Sequence, residues 1–259
     1  MKPGLAIIEE DGMWVPGLAE PVIERRQRVG AARRPMTGST PIRWLGRDGT
    51  KWMRQAKEAA MFYETAKNDH GLPYDPLKAI IAPRPIGWIT SMSAKGEINL
   101  APYSFFNAFS TRPPIVGYSS EGRKDSVALV EEIGEFVCNL ATFELREAMN
   151  VTAGTYPRGV DEMREAGLEP AASRLVKPPR VAASPCALEC KWLQTIKLAD
   201  VTGRETERYL VLGQVVATYI DDRFIKDGMV DTAAMRPIAR CGYSDYAVVN
   251  EVFSIVRPK

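Results

Sequence analysis

The stretch PRPIGWITS, residues Pro83–Ser91, predicts a β-strand that two prolines introduce and two hydroxyl side chains close. The strand is expected to span residues 87–93, and residues 94–97 that follow are typical of a hairpin turn. A second strand is predicted to return over residues 98–101. Because a short turn joins antiparallel neighbours, this stretch favours an antiparallel sheet.

The rest of the chain shows the same strand-rich pattern. Further strands are predicted over residues 77–82, 115–119, 136–141, 187–198 and 209–220, and residues 243–256 form a last strand or mixed segment. Helices are predicted from about residue 54 and over residues 127–133, 144–150 and 161–166. Because the helices are few and do not alternate with every strand, the sequence predicts a mainly β fold, an antiparallel β-barrel with helical decorations, rather than a doubly wound α/β sheet.

Composition restricts the class of protein. The chain has 259 residues, of which 45% are hydrophobic and 25% charged, and its formal net charge is +2. These values are typical of a soluble globular protein and argue against a nucleic-acid-binding protein, which would carry a larger basic excess. No apolar run approaches the roughly 20 residues of a membrane span, so no membrane association is expected. Acidic residues near the start, where a signal peptide would be apolar, favour a cytoplasmic protein.

Several kinds of catalytic site are not expected. The four cysteines form no C-x-x-C pair, and we interpret Cys186 and Cys190 as buried structural thiols. The single histidine, His70, lies beside Gly71 and Pro73 and is interpreted as a loop residue. No metal site is therefore predicted. The glycine-rich fingerprints of Rossmann and P-loop nucleotide sites are also missing.

Residues 1–55 differ from the rest of the chain. They contain ten basic and six acidic residues, a local balance of +4, and show no sustained periodicity. Three tryptophans, Trp14, Trp44 and Trp52, favour a loosely ordered arm that docks on the domain or on a partner subunit. The alternative is an arginine-rich tail that binds RNA, DNA or an acidic partner. The remaining residues, 56–259, are predicted to form one domain.

Three short segments are candidates for a ligand site. The first is the strand end with Thr90 and Ser91, whose hydroxyls can bind polar ligand groups. The second is Asn99–Asn107 (NLAPYSFFN), where small residues would let backbone amides approach a flat ligand. The third is Gly122–Ser126 (GRKDS), directly before a predicted helix that Asp125 or Ser126 would cap. A helix start flanked by arginine and lysine favours an anion.

These segments, in this order and spacing, resemble the successive signatures of the flavin reductase-like family, the FMN-binding split barrels. The resemblance rests on PRPIGWITS, INLAPYSFFNAFS, RPPIVGYSS, GRKDS and GEFVCNLA, and further downstream on YPRGVDE and RCGYSDY. It covers roughly residues 60–257 and leaves out the N-terminal arm.

The resemblance implies a homodimeric, Greek-key-like split β-barrel that holds FMN near the subunit interface. Its implied activity is hydride transfer from NADH or NADPH to a flavin, in a reductase that serves a separate monooxygenase. The alternative is a non-catalytic FMN-binding or electron-relay protein. The resemblance implies no catalytic side chain, because the flavin carries the hydride chemistry. The residues implied to bind FMN are Thr90, Ser91, Ala101, Pro102, Tyr103, Ser104, Asn107, Arg123, Lys124, Asp125 and Ser126.

Overall fold

The computed structural model describes residues 61–258. The arm predicted over residues 1–55 and the first half of the helix predicted from about residue 54 lie outside the described residues. Of the second half of that helix, the structure has only a turn at residues 65–68. The chain from Asp69 onward forms one compact unit.

Fourteen strands lie in the described part of the chain. They are β1 (Arg84–Pro85), β2 (Gly87–Met92), β3 (Ile98–Tyr103), β4 (Phe106–Thr111), β5 (Pro114–Glu121), β6 (Glu135–Leu140), β7 (Pro170–Ala171), β8 (Arg180–Val181), β9 (Cys186–Ala199), β10 (Glu205–Ile220), β11 (Ile225–Lys226), β12 (Met229–Val230), β13 (Ile238–Arg240) and β14 (Tyr246–Val248). The helices are α1 (Leu77–Ile80), α2 (Asp125–Ile133), α3 (Arg146–Val151), α4 (Glu162–Glu165) and α5 (Thr232–Met235), with a 3₁₀ turn at Asp222–Phe224.

Seven strands form the main sheet, in the order β3-β2-β6-β9-β10-β5-β4, and every pair is antiparallel. The predicted hairpin of β2 and β3 is confirmed, with Thr90 opposite Leu100. The long pair β9–β10 is confirmed too and forms the middle of the sheet. Strands β5 and β6 follow each other in sequence but are separated by β9 and β10, as the predicted Greek-key-like topology requires.

The sheet curls until strands near its two ends meet. The rings of Tyr103 on β3 and Tyr118 on β5 lie 4.6 Å apart, although no hydrogen-bond ladder joins these two strands. Both rings belong to a core to which Ile89, Phe136 and Val211 also contribute. The barrel is therefore closed by side-chain packing at this seam, and the prediction of an antiparallel split β-barrel is confirmed.

Strand β2 is covered on both faces. Ile89 points into the barrel core, whereas its neighbour Trp88 packs outside with Leu100, Met149 and Met163. Successive side chains of a strand point to opposite faces, so helices α3 and α4 must cover the outer face of β2 and β3. This second layer forms one wall of the site described below.

Two local predictions differ from the structure. Residues 77–82 were expected to form a strand, but Leu77–Ile80 is a helix. An apolar run alone does not separate the two, and here Asp75 accepts a hydrogen bond from the amide of Leu77 while Pro76 begins the turn. Strand β4 was missed because its aromatic residues look like a loop. The closing segment, predicted as a last strand or mixed segment, is mixed and contains the short strand Tyr246–Val248.

No helix within residues 61–258 combines the length and the apolar character that crossing a membrane requires.

Candidate functional site

The first cavity lies where the end of β3 meets the start of α2. It has a volume of about 330 Å³. Its other wall is the loop of residues 152–156 that follows α3. The predicted site residues that line it are Ala101, Pro102, Tyr103, Lys124, Asp125 and Ser126.

The start of helix α2 supplies the donors of this cavity. Lys124 occupies the N-cap position, and its carbonyl accepts hydrogen bonds from the amides of Val127 and Ala128. The sequence predicted Asp125 or Ser126 as the cap, but no side chain caps this helix. The amides of Asp125 and Ser126 therefore keep their capacity for a ligand, and the helix dipole favours an anion there.

The two basic residues before α2 differ in their surroundings. Lys124 lines the first cavity and forms no ion pair with any carboxylate of residues 61–258. Arg123 instead forms an ion pair with Glu131 of α2, and it does not line the cavity. Of the two, Lys124 is therefore the basic residue that lines the first cavity.

A buried polar network fixes the helix start against the sheet. The side-chain amide of Asn99 donates to Ser91 Oγ at 3.2 Å and to Ser126 Oγ at 2.9 Å. Tyr118 Oη donates to the carbonyl of Ser126 at 3.2 Å. Burial raises the pKa of Tyr103, although the hydroxyls of Ser126 and Ser120 act against it. Tyr103 therefore presents a protonated phenol to this network at neutral pH.

Thr90 and Ser91 do not line the cavity. Both are fully buried. Thr90 Oγ1 accepts a hydrogen bond from the amide of Asn139 at 2.9 Å, and Ser91 Oγ is occupied by Asn99. Their role in binding FMN stays a prediction, since the structure brings Ser91 to the site through Asn99 and not by direct exposure.

The backbone of β3 forms the edge of the sheet beside the cavity. The amide of Leu100 points away from β2, because it donates to Glu162 Oε2 at 3.0 Å. Alternation along an antiparallel strand then directs the amides of Ala101 and Tyr103 toward β2 and the backbone of Pro102 outward. Proline has no amide hydrogen, so this edge offers carbonyl acceptors to a ligand rather than the amide donors that the sequence suggested.

Glu162 adds a second carboxyl group to the first cavity. Burial raises its pKa, while the hydrogen bond from Leu100 lowers it and the charges of Asp125 and Asp161 raise it further. Sequence reasoning assigned no site role to Glu162 or Asn99, although both stand in motifs that carried the family resemblance. The same holds for Tyr156, which lines the cavity from the loop after α3.

A second cavity of about 240 Å³ adjoins the first. Pro102 and Ala153 line both, so the two spaces share a wall. Three basic residues line the second cavity, namely Lys78, Arg84 and Arg240, together with the predicted site residue Ser104. Sequence reasoning missed this cavity because its basic residues come from distant segments.

A third cavity of about 520 Å³ lies on an apolar surface. Asn107, the last predicted site residue, lines this cavity rather than the first. Its apolar lining includes Ile80, Ile81, Phe105 and Phe109, all of them exposed. Ser104 borders both the second and the third cavity, so the segment from Ala101 to Asn107 runs past all three.

The histidine and the cysteines of the described residues form no metal-binding cluster at these cavities. His70 Nδ1 accepts a hydrogen bond from the amide of Leu72, as fits a loop residue. All four cysteines are free thiols, and Cys138 and Cys190 are buried. Across residues 61–258, no group of three or more His, Cys, Asp or Glu side chains is placed to hold a metal ion.

The sequence pattern described as the flavin reductase like domain matches residues 81–234, more than half of the chain. The chain belongs to the flavin reductase-like family. An uncharacterized protein of Halalkalibacterium halodurans is 36% identical over 191 residues, which cover 71% of this chain and 90% of that protein.

Solved structures of family members support the fold. Nitrilotriacetate monooxygenase component B from Bacillus cereus matches with a TM-score of 0.70 and 28% identity, over 76% of this chain and 99% of that one. A protein with a split barrel domain from Shewanella frigidimarina matches with a TM-score of 0.64 and 20% identity, over 76% of this chain and 94% of that one. The second likeness concerns the fold alone.

The residues of the first cavity fit the flavin cofactor of this family. The helix start and the unpaired Lys124 suit a phosphate, and the carbonyls along the β3 edge suit a hydrogen-bond donor on a ring. The cavity volume of about 330 Å³ lies within the usual range of ligand pockets, and the second cavity continues the space beyond Pro102.

Proposed function

We propose that this protein is an NAD(P)H:FMN oxidoreductase that serves as the reductase component of a separate monooxygenase. The observation that carries the proposal is the first cavity, where the uncapped start of α2 and the unpaired Lys124 meet the β3 edge. The similarity to a monooxygenase component B supports the assignment of a partner oxygenase. The reaction is assigned to the cytoplasm, in keeping with four free thiols.

The chain's own residues bind and orient the cofactor in this proposal. Lys124 and the first-turn amides of α2 hold the phosphate, and the polar network of Asn99 keeps that helix start in place against β3. When bound, FMN supplies the hydride-accepting centre. The role of the protein is then to position the ring and to leave one side open for the nicotinamide donor.

The test starts with an absorption spectrum of the purified protein and an FMN titration. NADH and NADPH are then added under anaerobic conditions, with and without FMN. We expect bleaching of the flavin absorbance and nicotinamide oxidation that depends on FMN. Tight FMN binding without oxidation of either nucleotide would instead establish the non-catalytic or electron-relay protein. Absence of FMN binding would remove the flavin assignment altogether.

We further propose that the protein is a homodimer and that the surface of the third cavity contributes to the interface. Ile80 is 72% exposed and Phe109 is 56% exposed, on either side of that cavity. Adjoining exposed apolar side chains of this size are typical of protein interfaces. Light scattering after gel filtration should give twice the chain mass for the wild type and the monomer mass for Phe109→Asp. A wild-type monomer would contradict the proposal.

A further inference from the structure

The second cavity is lined by three cations and by no carboxylate. Lys78 comes from α1, Arg84 from β1 and Arg240 from β13. None of the three has a carboxylate oxygen within 4.0 Å among the described residues. The first cavity differs, because Asp125 and Glu162 line it beside Lys124.

Arg84 is the fixed cation of the second cavity. Its side chain is buried, with only 7% of the residue exposed. One terminal nitrogen donates to the carbonyls of Lys78, at 2.6 Å, and of Ile81, and the other donates to the carbonyl of Cys241 at 2.8 Å. These acceptors are neutral carbonyls, so no carboxylate among the described residues pairs with the buried guanidinium. Its Nε is buried and has no hydrogen-bond partner.

Lys78 and Arg240 are the other two cations of the cavity, and Arg240 lies opposite Arg84 in the β1–β13 ladder. The Lys78 ammonium makes no hydrogen bond or ion pair to the described residues, and the side chain is exposed. The Arg240 guanidinium lies 4.6 Å from the ring centre of Tyr246 and donates to the carbonyl of Tyr243. Asp245 belongs to the same turn but is not within ion-pair distance of Arg240 and does not line the cavity.

Three uncompensated cations in one recess repel each other, and a bound oxyanion would relieve that repulsion. Hydrogen bonds between a cationic side chain and an oxyanion are among the strong ones in proteins. The cavity is also next to the proposed flavin site, since Pro102 and Ala153 border both spaces. A ligand seated here could therefore reach the ring held in the first cavity.

We propose that the second cavity binds the oxyanion of the second reactant, the molecule that exchanges electrons with the flavin. This inference rests on the proposed function. The oxyanion is either the pyrophosphate of the nicotinamide dinucleotide or a carboxylate of an organic acceptor. Both are recognised by the same cations, and the experiment separates them.

The test measures binding to the FMN-saturated protein by calorimetry, with inorganic pyrophosphate, ADP-ribose and benzoate as probes. We expect Lys78→Gln to weaken binding of the recognised probe about tenfold. Arg240→Gln should do the same, and Arg240→Lys should restore part of the affinity. Lys226→Gln is the matched control, because Lys226 is exposed, unpaired in the described residues and lines none of the three cavities. Each variant's FMN affinity is measured separately and should change less than twofold.

The outcomes distinguish the alternatives. Loss of pyrophosphate and ADP-ribose binding identifies the dinucleotide, and loss of benzoate binding identifies a carboxylate acceptor. The proposal is overturned if no probe binds, or if Lys78→Gln binds every probe as Lys226→Gln does. It is also overturned if FMN affinity falls by the same factor, since the cavity would then hold the cofactor's phosphate. A failure of the proposed function would be seen in a different experiment, as a lack of nicotinamide oxidation. The calorimetric result on the second cavity does not depend on that oxidation.

Discussion

The first and second cavities share a wall but differ in how their charges are balanced. In the first, one lysine faces two carboxyl groups, and a nine-residue helix adds its dipole. In the second, three cations face neutral carbonyls and aromatic rings. The comparison shows two different ways to favour an anion: the first cavity combines a helix start with one lysine, whereas the second combines three cations.

The largest effect is expected on the free energy of unfolding when Arg84 is replaced. Comparison with Arg240 shows which cation of the second cavity stabilises the fold. Arg84→Met would leave the carbonyls of Lys78, Ile81 and Cys241 without their donor. These carbonyls are partly buried, and the loss of a charged hydrogen-bond partner costs about 1–1.5 kcal/mol each, so the free energy of unfolding should fall by roughly 4 kcal/mol. Urea denaturation measures this. Arg240→Met loses one such bond and should cost only about 1 kcal/mol; equal losses would contradict the difference.

The next effect concerns the cation of the first cavity. Lys124→Ala should weaken FMN binding by about 1.5–3 kcal/mol, because a charged contact to the phosphate is removed. Flavin fluorescence quenching gives the dissociation constant, and Lys226→Ala serves as the matched lysine control. If the two variants bind FMN equally well, Lys124 is a solvated residue at the helix start and the cavity has another ligand.

The smallest effect concerns the carboxyl group of Glu162. Its raised pKa means that the charged form is disfavoured in the fold, so the charge is lost as the pH falls through that pKa. A charged Glu162 opposes a bound phosphate, and Glu162→Gln should tighten FMN binding about fivefold at pH 7.5, close to 1 kcal/mol. The glutamine can still accept from Leu100.

The pH dependence of FMN affinity shows whether the charged Glu162 weakens or strengthens binding. At pH 5 more of the wild-type carboxyl is protonated, so its affinity should approach that of Glu162→Gln. The quenching assay gives both dissociation constants at pH 7.5 and pH 5, and the wild-type value is divided by that of Glu162→Gln. Titration of the phosphate affects both proteins alike and cancels in this ratio, which should fall toward 1 at pH 5. A ratio that grows toward pH 5 would show that Glu162 helps to bind FMN and does not oppose it.

Much of the barrel could be predicted from local patterns. The alternation of apolar residues gave β9 and β10, and the turn at residues 94–97 gave the β2–β3 hairpin. The Gly122–Ser126 segment correctly located the start of α2, because helix starts have a local chemistry. Strand β4 and helix α1 were not predicted, since short apolar or aromatic runs fit more than one local structure.

The candidate site was less predictable, for a physical reason. Thr90 and Ser91 look like ligand-binding hydroxyls, but both are fully buried and bonded inside the protein, Thr90 to Asn139 and Ser91 to Asn99. The second cavity depends on Arg84 meeting the carbonyl of Cys241, 157 residues away in sequence. No local pattern announces such a contact, because it forms only where β1 pairs with β13, in a ladder that places Arg84 opposite Arg240.

The two cavities draw their charged residues from different parts of the chain. Every residue that lines the first cavity falls within residues 99–162, whereas Lys78, Arg84 and Arg240 of the second cavity lie before and after that range. A substitution at any of these three positions therefore changes the charge of the second cavity without replacing a residue that lines the first.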